Sequence, residues 1–128
     1  MDKGYGILIV SVTIFVLSIV GTASATSWSV DDSGGADSTR IQDAINNASA
    51  GDTILVYSGI YYENVVVDKS VTLKGIDQPV VDANSSGCAI TLTEDEITLV
   101  GFNATNSGSS WSDVGIKVTS NNNTITGN

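Results

Sequence analysis

Beyond residue 52 apolar and polar positions alternate with a period of two, and the alternation returns at a fixed interval. SVTLKG closes on Gly75, EITLVG closes on Gly101 and NTITGN carries Gly127, so both intervals are 26 residues. Thr72, Thr98 or Thr124 stands three places before each glycine, and Leu73, Leu99 or Ile125 two places before it. Upstream of each, the apolar pairs Val65 and Val67, Ile90 and Leu92, and Ile116 and Val118 repeat in step. Period two is the signature of a strand with one apolar face. The pattern therefore predicts a strand, a polar turn (DKS, TEDE or TSNNN), a second strand, and a glycine where the backbone bends.

One such repeat cannot bury its apolar face alone, but stacked coils can, each strand pairing with its counterpart about 4.8 Å away. The predicted inward ladders are Val65/Ile90/Ile116, Val67/Leu92/Val118 and Leu73/Leu99/Ile125. Val71 and Ile97 form a fourth whose third member is Asn123, which either starts an asparagine ladder or marks a more polar last coil. The fold class expected is all-β, a single-stranded parallel β-helix. TILVY, residues 53–57, begins its first coil. NNNTITGN begins a further coil with nothing after it, so the solenoid is expected to be truncated at its C-terminal end. Its open edge there invites self-association with another chain.

Ahead of the coils, Ile41, Ala44, Ile45 and Ala48 fall at helical spacing. Thr39 and Gln42 form a capping-box pattern and Gly51 a stop, so residues 38–51 read as an N-terminal capping helix that plugs the first coil. Further upstream, Ile7–Val20 is an apolar run followed by Ala23-Ser24-Ala25, the small-x-small form of a signal-peptidase site. An uncleaved anchor is the competing reading, but the run falls short of the roughly 20 residues of a spanning helix. The organisation expected is a signal peptide over 1–25 cut after Ala25, a leader over 26–37, the capping helix, and incomplete coils over 52–128. Export to the outside of the cell follows.

Charge narrows the partners. The chain has 5 basic and 14 acidic residues, a net charge of −9, which disfavours nucleic acid and anionic membrane surfaces. Cys88 is alone, so no intrachain disulfide framework exists, and in GCAITL it reads as a small buried hydrophobe.

The run ADSTRIQDAINNASAGDTILVYSGIYYENVVVDKSVTLKG, with AITLTEDEITLVGFNATNSG and GIKVTSNNNTITGN, resembles the right-handed parallel β-helix proteins of the pectin-lyase-like superfamily. Within it the likeness is to the NosD-type, carbohydrate-binding and sugar-hydrolase repeats of archaeal cell-surface proteins. Ser38 and Ile60 depart from the aromatic and the threonine commoner at those places. The resemblance implies an exported surface module with a structural or adhesive role, carbohydrate binding included, forming the N-terminal part of a longer protein. The alternative is the non-catalytic portion of a polysaccharide lyase or glycoside hydrolase whose active coils lie downstream, since this scaffold hosts both.

Catalytic residues are not expected here. Asp77 and Asp82 flank QPVV without the companion motifs that the resemblance to hydrolases would require, Arg40 falls in the capping helix, and Lys69, Lys74 and Lys117 read as solvated charges. Copper lacks its soft ligands, there being no His and no Met beyond Met1. Calcium is the one candidate cofactor, at Asp31-Asp32 or Glu94-Asp95-Glu96, though consecutive carboxylates on a turn diverge. Asn47, Asn84, Asn103 and Asn122 head N-x-S/T sequons and are candidate glycosylation sites. Tyr57, Tyr62 and Trp111 are the candidate contacts to a surface polysaccharide, while Tyr61 is expected to pack inward.

Overall fold

Thr72, Thr98 and Thr124 stand in one column of a parallel sheet. The computed structural model describes residues 21–128. Its elements are β1 (Ser27–Val30), α1 (Ile41–Asn47), β2 (Thr53–Val56), β3 (Ile60–Tyr62), β4 (Val65–Val67), β5 (Thr72–Gly75), β6 (Val80–Asp82), β7 (Ile90–Leu92), β8 (Thr98–Val100), β9 (Asn103–Thr105), β10 (Ile116–Val118) and β11 (Thr124–Thr126). They form an all-β solenoid of three parallel sheets: β1-β2-β5-β8-β11, β3-β6-β9 and β4-β7-β10. Each full turn visits the first sheet, then the second, then the third.

All three predicted ladders form in the expected register. Ile54, Leu73 and Leu99 are fully buried in one column, and Val65 with Ile90, and Val67 with Leu92, in two others. At roughly 1.5–3 kcal/mol for each large aliphatic side chain removed from water, these columns are the main source of stability. The Val71–Ile97 column ends in the half-buried Asn123. Its Oδ1 accepts the N–H of Ile97 at 2.9 Å and its Nδ2 donates to Ser120 Oγ at 2.9 Å, so a polar side chain takes over a backbone partner's role.

Three expectations are corrected. From β2 onward each full coil has three strands, not two, because the second sheet uses IYY, VVD and NAT, which share no pattern beyond one inward residue (Tyr61, Val81, Ala104). Residues 26–37 are more than a leader: β1 pairs with β2 in parallel and supplies the first rung, with Ser27 opposite Thr53, so the coils begin before residue 52. From Thr53 to Thr72 the chain needs only 19 residues for a turn, which hides the 26-residue beat in this part of the sequence. The helix covers seven residues rather than 38–51, for reasons of capping given below.

The repeat glycines are explained by close approach as well as by bending. A Cβ on Gly75 would collide with the carbonyl oxygen of Gly101 and with Pro79 Cδ, and one on Gly101 would lie 2.8 Å from the carbonyl oxygen of Gly75. Gly101 also has φ +80, in the left-handed region that side chains disfavour.

Candidate functional site

The solenoid's N-terminal end is closed by α1, and the closure is built by side chains from the coil beneath it. The sequence is too short at seven residues to hold a helix on propensity alone. Glu63, buried between β3 and β4, accepts the N–H of Ile41 at 2.8 Å through Oε2 and that of Gln42 at 3.2 Å through Oε1. Its Oε1 also lies 3.6 Å from Arg40 Nε. At the other end Lys69 Nζ donates to the carbonyls of Ile45, Asn46 and Ala48 at 2.9, 2.8 and 2.6 Å. An anion at the first turn and a cation at the last both match the helix dipole. Gln42 completes the seal: its Nε2 donates to the carbonyl of Val66 and its Oε1 accepts the Val66 N–H, so one side-chain amide mimics the next strand along β4.

These contacts correct the sequence reading. Arg40 is the N-cap residue and makes no side-chain cap bond, so the Thr39–Gln42 capping box does not form. Gly51 is not the stop, because the helix ends at Asn47 where Lys69 gathers its carbonyls. Lys69 is a structural ligand of the helix rather than a solvated charge. Glu63 carried no signal beyond being an acid set between apolar strands.

Asp52 ties the same end together. It is buried, and it accepts the N–H of Thr26 at 2.7 Å, the Trp28 Nε1–H at 3.1 Å and the N–H of Ser49 at 2.9 Å. The Ser49 N–H first, then Thr26 and Trp28, with the positive charge of Lys69 adding, hold its carboxyl below the ordinary value of 3.8. Asp31 and Asp37 are held low too, chiefly by the hydroxyls of Ser33 and Ser29. Tyr61 is buried as expected. Burial pushes its phenol up, and its hydroxyl donates to the Tyr57 carbonyl at 2.8 Å.

The four sequons fall on exposed backbone, but their amides differ. Asn47 Nδ2 donates to the carbonyl of Asp43 at 3.0 Å inside α1. The side chains of Asn84, Asn103 and Asn122 make no hydrogen bond among the described residues. Asn84 and Asn122 sit in turns with φ 52 and 56, and Asn103 opens β9 with Thr105 on the same outward face. Asn103 stands in a column with Ile60 and Val80, and Thr105 in a column with Tyr62 and Asp82.

Trp111 is 98% exposed in the 106–115 loop and covers nothing, and Tyr62 is 67% exposed on the second sheet. Tyr57 is exposed in the turn before β3. The chain is similar to a cell surface glycoprotein of Methanothermus fervidus. The two are 39% identical over 67 residues, which is 50% of this chain and 11% of the relative, so the chain spans only a small part of that protein. No family model matches, and no solved structure matches.

Of the remaining candidates, several are engaged in local structure. Asp82 Oδ1 accepts the Asn84 N–H and Asn106 Nδ2, closing a turn, and Asp77 is exposed before β6 at φ 57. Asp95 Oδ1 accepts the N–H of Asn121 at 2.7 Å from the next coil, and Glu94 Oε1 accepts the N–H of Asp95. Among the described residues no three acidic, His or Cys side chains converge as a metal site. Cys88 is half-buried, its Sγ 3.6 Å from the carbonyl of Ser112 in the following coil. The Ile7–Val20 run lies outside the described residues, while Ala25 is exposed without regular structure just before β1.

Proposed function

We propose that this chain is an exported, N-glycosylated structural module of a cell surface, a rod that spaces and adheres rather than catalyses. The observation that carries the reading is the exposure of three unengaged sequon amides, Asn84, Asn103 and Asn122, on a stacked scaffold. Similarity to a surface glycoprotein supports the same class. A glycan on Asn103 would stand over the column of Val80 and the half-exposed Ile60, an apolar strip that water otherwise meets. Tyr62 and Trp111 supply flat rings for a surface polysaccharide.

Glycopeptide mass spectrometry of protein from the native host tests the reading. We expect glycan at Asn84, Asn103 and Asn122 and none at Asn47, whose amide is committed within α1. Four unmodified asparagines would refute it. Calcium is expected to give no saturable heat in calorimetric titration, because Asp31 and Asp32 accept from Ser33 and the Ile60 N–H, and Glu94 and Asp95 from the N–H groups of Asp95 and Asn121. A saturable millimolar isotherm would contradict that.

A further inference from the structure

The receptor for a processed N-terminus is already built into the first rung. Thr26 is the residue that follows the Ala23-Ser24-Ala25 cleavage pattern. Its position is fixed from both sides: its carbonyl accepts the N–H of Thr53 at 2.9 Å, continuing the β1–β2 ladder, and its own nitrogen lies 2.7 Å from Asp52 Oδ1. In the unprocessed chain that nitrogen is a neutral amide. Hydrolysis of the Ala25–Thr26 peptide bond adds water across it, leaving a carboxylate on Ala25 and an α-ammonium on Thr26.

We infer that signal-peptide cleavage after Ala25 converts the Thr26–Asp52 hydrogen bond into an ion pair, between an exposed Thr26 and a buried Asp52, that locks the first rung and the plug in the mature protein. The inference rests on the export reading above, and on geometry that a cut elsewhere would not meet.

Asp52 is suited to receive a cation. It is buried, yet the three donors that reach it, Thr26 N, Trp28 Nε1 and Ser49 N, come from both sides of the plug. Those bonds join β1, the segment after α1 and the start of β2 in one cluster. The charged group acting on Asp52 is Lys69, whose ammonium is engaged with the helix carbonyls of Ile45, Asn46 and Ala48. Lys69 therefore offsets only part of the negative charge, and a second cation adds to the site. A charge-assisted bond is stronger than the neutral one it replaces.

The sign of the pH dependence follows. An α-amino group titrates ordinarily near 7.7–8.0, and a carboxylate partner raises that value in the folded state. The added stability is therefore complete below the ordinary value and is lost as pH rises through the raised one. At the acid end it disappears as Asp52 protonates below 3.8.

The test compares three chains: one beginning at Thr26, one beginning at Ala25, and one beginning at Thr26 with its amine acetylated. All keep Asp52, so none removes a buried acceptor. At pH 6.5 the free-amine Thr26 chain is expected to melt on the order of 5 °C above the other two. That gap should close by about pH 10, beyond the α-amino range. Acylation of the Thr26 amine near neutral pH should be about tenfold slower than that of the Ala25 amine, since the paired ammonium is withheld from its neutral form. Equal melting temperatures, or a gap that does not change with pH, would overturn the ion pair. N-terminal sequencing of the exported protein separates the two claims: a start other than Thr26 refutes the cleavage position, whereas a Thr26 start without the stability gap refutes the lock.

Discussion

Replacing Glu63 with alanine is expected to cost about 3 kcal/mol in urea denaturation and to make the protein associate with rising concentration. Glu63 is buried and accepts the N–H groups of Ile41 and Gln42. Alanine would leave both donors without partners at a helix start that has no side-chain cap of its own. Each unsatisfied buried donor costs roughly 1–3 kcal/mol. A seven-residue helix cannot absorb that, since helices of such length are not stable without tertiary contacts. The second part of the expectation follows from Gln42, which leaves with the helix and uncovers the Val66 N–H and C=O along β4. An uncovered parallel edge pairs with other chains. Glu63→Gln keeps one acceptor oxygen and should lose about half as much. A cost below about 0.5 kcal/mol, the range of ordinary surface changes, would mean that α1 is held by its apolar face alone.

The sequence disclosed the ladders more fully than the ends. Leu73, Leu99 and Ile125 could be aligned because inward positions in a stacked parallel sheet face identical neighbours, and identical surroundings select similar residues. The second sheet was hidden for the opposite reason. Its strands are three residues long with a single inward position, and that position shrinks from Tyr61 to Val81 to Ala104. Two different periods also obscure the first turn, where α1 stands in for strands of the other two sheets. The plug was legible as an amphipathic helix from Ile41, Ala44 and Ile45. Its boundaries were not, because the groups that set them, Glu63 and Lys69, come from residues more than twenty positions away. Local capping rules read neighbours in sequence, and here the cap is tertiary.

The candidate site divides in the same way. Sequons are local, so Asn47, Asn84, Asn103 and Asn122 were readable, but the bond from Asn47 to Asp43 that distinguishes it is a property of the folded helix. Exposure of Trp111 could not be inferred from SGSSWSD, since a loop tryptophan usually folds back over its own loop. Asp52 showed nothing in GDTILVY to mark it as the meeting point of Thr26, Trp28 and Ser49. Thr26 and Trp28 lie about one coil before it in the chain, and the contact exists because β1 is a rung rather than a leader.

The stacked-column architecture predicts that position along the axis, rather than residue type, decides the cost of a core truncation. Leu99 is fully buried between Leu73 on one side and Ile125 on the other, with its strand paired on both edges. Leu99→Ala leaves a void bounded by two rungs that cannot close, because the ladder hydrogen bonds fix their separation at about 4.8 Å. The expected loss is about 3 kcal/mol, within the range for buried leucine truncations. A domain of this size should then melt roughly 15 °C lower. Ile125 occupies the same column one rung on, but it is exposed and has no rung beyond it among the described residues. Ile125→Ala should therefore cost about 1 kcal/mol or less, the value of partial rather than full burial. Paired melts of the two variants check the architecture directly. Similar losses at both positions would mean that Leu99 and Ile125 share one environment, as they would in a layered core rather than in stacked rungs of unequal burial.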